Sequence, residues 1–192
     1  ILDYGDVIEI QIIGQQGKIE KYQIKRNGSI NLPDIGPLTI AGLSLESASL
    51  LIKSKIDSTY IGAEAFITLD TVRDVNVLVS GNAYNPGIYT VSGNSNLLHV
   101  IGVAGGINEF GSYREINLIR DSKVVETLDM YDVLVTGFYN SKTTLKSGDI
   151  IFVKPVKKIV SIDGAVKVAA KFELTENQTL NNVFEYANGI SN

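Results

Sequence analysis

Part of this 192-residue chain is written twice. Val75–Glu109 lies on Lys158–Asn192 at a constant spacing of 83 positions, with no gap. Eight of the 35 aligned pairs are identical: Val77/Val160, Gly81/Gly164, Asn94/Asn177, Leu97/Leu180, Val100/Val183, Ala104/Ala187, Gly106/Gly189 and Ile107/Ile190. A fixed internal period marks a repeated supersecondary unit. The matched residues predict its parts: a strand ending at Gly81, a turn, and a second strand at Ile88–Val91. A short helix capped by Asn94 or Ser95 then carries Leu97, Val100, Ile101 and Ala104 on one side. Gly105 and Gly106 supply the left-handed residue that stops it. The copy repeats this with Asn177, Leu180, Val183, Phe184, Ala187 and Gly189.

The first copy runs on into strands near Glu115–Arg120 and Lys123–Leu128 and a closing strand at Asp149–Lys154. The second stops after its helix, so the strands that would complete it are expected from outside residues 157–192. Upstream, Val7–Ile13 and Ile19–Lys25 read as strands, with Gln15-Gln16-Gly17 as a turn. Asn27-Gly28 is a hairpin signal, Ile30–Leu32 a third strand, and Pro33, Gly36 and Pro37 break regular structure. Ser44 caps a helix over 45–57 whose apolar residues (Leu45, Ala48, Leu51, Ile52, Ile56) recur at helical spacing. Ala65–Val72 returns as a strand. This α+β reading divides the chain into residues 1–72, 73–156 and 157–192.

Hydrophobic residues make up 44% and the net charge is −4, enough apolar material for real cores and no concentrated basic face for nucleic acid. The densest basic stretch, Lys154–Lys158, reads as a solvated loop. With no cysteine, disulfides, thiolate metal sites and cysteine nucleophiles are excluded. The sole histidine, His99, is read as a surface helix residue, since one histidine builds neither a triad nor a metal cluster. Asp6 and Asp149, each after a glycine at a strand entry, are read as turn aspartates bonding nearby backbone in preference to paired acids. No cofactor is expected.

Three motifs carry a family resemblance. Tyr4-Gly5-Asp6-Val7-Ile8 opens the first strand. Gly28, Leu32-Pro33, Ile35-Gly36 and Ala41-Gly42-Leu43 follow at the spacing of the polysaccharide biosynthesis/export domain. Val79-Ser80-Gly81, Asn85-Pro86-Gly87-Ile88-Tyr89, Ala104-Gly105-Gly106 and Ser147-Gly148-Asp149 resemble the soluble-ligand-binding β-grasp module. Together they are similar to outer-membrane polysaccharide export proteins. The resemblance implies a small α/β export domain followed by β-grasp repeats, the second incomplete. It also implies a periplasmic, outer-membrane-associated homo-oligomeric ring passing capsular or exopolysaccharide, working with an inner-membrane copolymerase. Membrane attachment would come from segments before Ile1 or after Asn192. Departures are Asp3-Tyr4-Gly5-Asp6 for the family's Gly-Pro-Gly-Asp, Ala169-Ala170 at the place of Pro86-Gly87, and Asn188 at that of Gly105.

Gly28, Pro33, Gly36, Gly42, Gly81, Pro86, Gly87, Gly105 and Gly106 are read as backbone-shaping positions. Asn31 and Asp34 have the polar groups to contact sugar hydroxyls. The main reading is a conduit, which needs a hydrated, weakly binding surface rather than a catalytic site. The alternative is a β-grasp binding module for a soluble ligand or glycan, acting as sensor or adaptor. A polysaccharide-cleaving enzyme, which needs two carboxylates at a defined separation, stands third.

Overall fold

A computed structural model describes residues 1–14, 17–139, 141 and 143–191. The turn expected at Gln15-Gln16 lies outside the described residues. The chain forms two compact units, Ile1–Asp74 and Val75–Asn192, and is α+β throughout.

In the first unit, β1 (Val7–Ile13) sits between β2 (Lys18–Gln23) and β5 (Glu64–Thr71), antiparallel to both. Alternation along β1 buries Ile8 and Ile10. α1 (Leu45–Thr59) covers them with Ala48, Ile52 and Ile56, spaced four apart on one face. Its start follows the capping rule, the Ser44 hydroxyl accepting the Ser47 amide at 3.1 Å.

Two expectations for this unit need correction. Asn27-Gly28 does turn the chain, the Gly28 amide donating to the Lys25 carbonyl at 2.8 Å, yet it joins no hairpin of β2 with the next strand. β3 (Ser29–Leu32) pairs instead with an unforeseen strand, β4 (Gly36–Thr39). Proline was read there as a breaker. Pro37 is tolerated because this ribbon has only two strands, so an N–H facing away from β3 has no partner to lose.

In the second unit, five strands run in the order β7-β6-β10-β8-β9: β6 Asp74–Gly81, β7 Gly87–Ser92, β8 Gly111–Arg120, β9 Lys123–Leu128 and β10 Ile150–Pro155. β10 is parallel to β6 and antiparallel to β8. α2 (Leu97–Val103) buries Leu97, Val100 and Ile101 against Val75, Val77, Val79, Ile116, Leu118, Ile151 and Val153. A π-helical turn at Asp132–Thr136 lies in the segment between β9 and β10.

The repeat persists down to individual hydrogen bonds. β11 (Lys158–Ile162), β12 (Ala170–Leu174) and α3 (Leu180–Tyr186) follow the order of β6, β7 and α2. The bridge Ala83–Ile107 has its counterpart in Val166–Ile190. Tyr84 N–H to Gly106 O (2.9 Å) matches Lys167 N–H to Gly189 O (3.0 Å), and Gly106 N–H to Ile101 O matches Gly189 N–H to Phe184 O, both 2.8 Å. Asn188 takes φ +56 where Gly105 takes +83, within the tolerance of asparagine for left-handed backbone. The caps are Asn96 and Thr179, where Asn94 or Ser95, and Asn177 in the copy, were expected.

Both aspartate turns form as expected, with a partner that was not foreseen. Asp6 accepts the amide of Asp3 (2.9 Å) and Asp149 that of Lys146 (2.7 Å). Each carboxylate, almost wholly buried, also takes an arginine: Arg73 Nη1 at 3.1 Å from Asp6, and Arg120 Nη2 at 2.7 Å from Asp149. A buried carboxylate needs such compensation. The lysine stretch is likewise not merely solvated, since Lys154 (3.3 Å) and Lys157 (3.0 Å) both pair with Glu115.

Candidate functional site

The first unit holds a cavity of about 540 Å³, within the usual range for small-ligand clefts. Its floor is apolar, with Ile10, Ile12, Leu32, Ile35 and Ile56 among the lining residues. Its polar groups come from three places. β2 sends Lys18, Glu20 and Tyr22, which alternate and so share one face. The β3–β4 turn sends Asp34, and the end of α1 sends Tyr60.

The turn positions Asp34 tightly. Leu32 pairs with Gly36 across it, the Ile35 amide donates to the Pro33 carbonyl at 2.7 Å, and Asp34 takes φ +60. Aspartate is among the few side chains that accept that conformation readily. The Tyr60 hydroxyl donates to Asp34 Oδ2 at 2.8 Å, and the Tyr22 hydroxyl donates to Glu20. Lys18 Nζ stands 2.7 Å from Glu20 Oε1.

These contacts fix the charge states. Lys18, and then the Tyr22 hydroxyl, hold the Glu20 carboxyl below the usual glutamate range. The hydrogen bond to Asp34 raises the Tyr60 phenol, while burial and Glu20 together raise that of Tyr22. At neutral pH the cavity offers two neutral phenols and an ionised glutamate, with Lys18 beside that glutamate and Asp34 beside Tyr60. Such a surface can exchange hydrogen bonds with hydroxyls against an apolar floor.

Of the two sugar contacts expected from sequence, Asp34 lines this cavity and Asn31 does not. Asn31 is exposed on β3, opposite Pro37. Lys18, Glu20, Tyr22 and Tyr60 were missed. The alternation of the first three was visible, but the flanking Ile19 drew attention to the wrong face: Ile19 is 58% exposed, and the polar side of β2 faces the cavity. His99 is exposed on α2. Among the described residues no three His, Asp or Glu side chains group to hold a metal ion, and no helix is long and apolar enough to cross a membrane.

Comparison with known proteins gives two adjoining matches. Residues 1–80 match the family model for polysaccharide biosynthesis/export proteins, and residues 75–153 that for the SLBB domain. The same order continues in whole proteins. Two polysialic acid transport proteins named KpsD from Escherichia coli are 32% and 31% identical over 179 residues, 92% of this chain. Residues 1–80 belong to the polysaccharide biosynthesis/export protein family. The family is named for polysaccharide biosynthesis and export, and both relatives for polysialic acid transport. The chain spans about a third of the length of the curated relatives it matches, 32% of each. Relative to the family models, the cavity lies wholly within the export domain, and α2 with its five-stranded sheet belongs to the SLBB domain.

Proposed function

We propose that this chain is the periplasmic part of an outer-membrane polysaccharide exporter, whose copies assemble into a ring that conducts a capsular or secreted polysaccharide. One observation carries the reading: an export domain runs directly into an SLBB domain along a chain that resembles polysialic acid transport proteins over 92% of its length. An inner-membrane copolymerase supplies the polymer, and segments of the whole protein other than these residues attach it to the membrane. The cavity's hydrogen-bonding side chains suit this role, because a sliding polymer is delayed by tight binding and guided by exchangeable hydrogen bonds.

The test is genetic and hydrodynamic. Deleting the gene in its host should abolish surface polysaccharide while polymer accumulates inside the outer membrane, and the purified whole protein should sediment as a closed oligomer. Unchanged surface polysaccharide would overturn export. A monomeric whole protein that binds a soluble glycan would favour a β-grasp sensor or adaptor instead.

A further inference from the structure

The charge of the export-domain cavity specifies which sugars suit it. Its ionisable lining consists of Lys18, Glu20, Asp34 and the phenols of Tyr22 and Tyr60. Lys18 pairs with Glu20 at 2.7 Å, so among the described residues the Asp34 carboxylate leaves the lining with a net negative charge. Asp34 lines the cavity with its carboxylate held by one phenol, Tyr60, at 2.8 Å. A carboxylate accepts hydrogen bonds and donates none. Groups that donate to it, hydroxyls or an ammonium, are therefore welcomed, and a second carboxylate is repelled.

We propose that this cavity is a saccharide subsite for a neutral or amine-bearing sugar unit, and that it turns away carboxylate-bearing units such as sialic acid. The proposal rests on the polysaccharide-transport reading above. It departs from the relatives in cargo: polysialic acid, which those proteins are named for transporting, is a polyanion, and this lining opposes one. The sugar ring lies on the apolar floor of Ile10, Leu32 and Ile35, with Tyr60 and Asp34 exchanging hydrogen bonds with its hydroxyls or amine.

Titration of the isotope-labelled chain with three trimers, followed by amide NMR, tests this. The probes are glucosamine trimer, N-acetylglucosamine trimer and α2,8-linked sialic acid trimer, at equal concentration and ionic strength. The amides of Ile35, Tyr60 and Ile61 should move saturably with the first two and stay still with the third. Asp34→Asn should weaken the glucosamine trimer about ten-fold, the usual loss for a hydrogen bond to a charged group, with Glu20→Gln as a second variant should the first unfold. Movement of the same amides by the sialic acid trimer, to the same extent, would overturn the selectivity. Silence towards all three trimers would overturn the subsite. Either failure leaves the export reading intact as long as deletion of the gene still abolishes surface polysaccharide. If deletion leaves export unchanged while the cavity fills, the transport reading fails and the subsite stands.

Discussion

The Arg114 guanidinium lies 3.6 Å from the centre of the Tyr131 ring, joining the SLBB domain to the partial repeat that follows it. Arg114 Nε–H donates to the Glu173 carbonyl at 2.8 Å, and Nη1 pairs with Asp129 at 3.0 Å. Tyr131 in turn receives the Glu173 amide at 2.7 Å and meets Tyr186 edge-on at 5.1 Å. The Glu173 carboxylate takes the Ser112 hydroxyl (2.7 Å) and the Tyr113 amide (2.8 Å). Glu173 and Tyr186 occupy the repeat positions of Thr90 and Val103. The second copy thus departs from the first where it docks onto it.

Removing the centre of this node should release the second copy without unfolding the first. Arg114→Met leaves the buried Glu173 backbone and Asp129 without their partner, a loss of about 2–4 kcal/mol. Hydrogen exchange should rise across residues 158–187 while β6, β8 and β10 stay protected. Uniform exchange in both segments would show that the docking is incidental.

Gly81 and Gly164 are equivalent in the repeat and unequal in surroundings. A Cβ on Gly81, at φ +75, would collide with the Val153 carbonyl oxygen of β10, whereas one on Gly164, at φ +92, meets nothing within 4 Å. Gly164→Ala should therefore cost only the left-handed backbone penalty of about 1–2 kcal/mol. Gly81→Ala carries that strain and a backbone collision, and should exceed about 3 kcal/mol. Chemical denaturation of the two variants makes the comparison, and equal losses would refute it.

Gly106 isolates the backbone contribution within the SLBB domain. It has φ +93 just past the end of α2, with open space where a Cβ would go. Gly106→Val should lower stability by about 1–3 kcal/mol through strain alone. A thermal melt identical to that of the parent chain would show the glycine to be dispensable.

The Glu115 cluster predicts an acid limb. Lys157, and then Lys154, hold the Glu115 carboxyl below its ordinary value of 4.5. A carboxylate lowered in the fold adds stability that is complete above the unfolded value and lost as pH falls through the folded one. Stability of residues 75–192 should therefore decline below about pH 4.5. All three side chains are at least about a third exposed, so the contribution is screened and stays below about 1 kcal/mol. Glu115→Gln should flatten that part of the profile, as should added salt; a slope unchanged by the variant would assign it to other carboxylates.

What could be read from sequence was what repeats locally. α1 was legible because Ala48, Ile52 and Ile56 return every turn, and the duplicated unit because a gapless register keeps Gly81 and Gly164 aligned. β4 was hidden by Pro37, since a proline reads as a breaker until the neighbouring side of the ribbon is seen to be open. The caps slipped by one or two residues because identity at Asn94/Asn177 outweighed the capping chemistry of Asn96 and Thr179. Half the candidate site was invisible for another reason. Tyr60 reaches Asp34 only because the end of α1 returns to the β3–β4 turn, and no local pattern records that approach.

The last strand of the SLBB domain is its middle one: Ile150 pairs with Leu78 on one side and Ile119 on the other. Until residues 150–155 have emerged, β6–β7 and β8–β9 are two separate hairpins with unsatisfied inner edges. Closing such long-range pairings is slow, and open edges recruit other chains while they wait. The second copy meets no such delay, because β11 pairs with β12 and Phe172 of β12 meets Tyr186 of α3 within a short stretch of sequence. Synthesis therefore leaves this domain vulnerable for most of its length, and its protection arrives all at once.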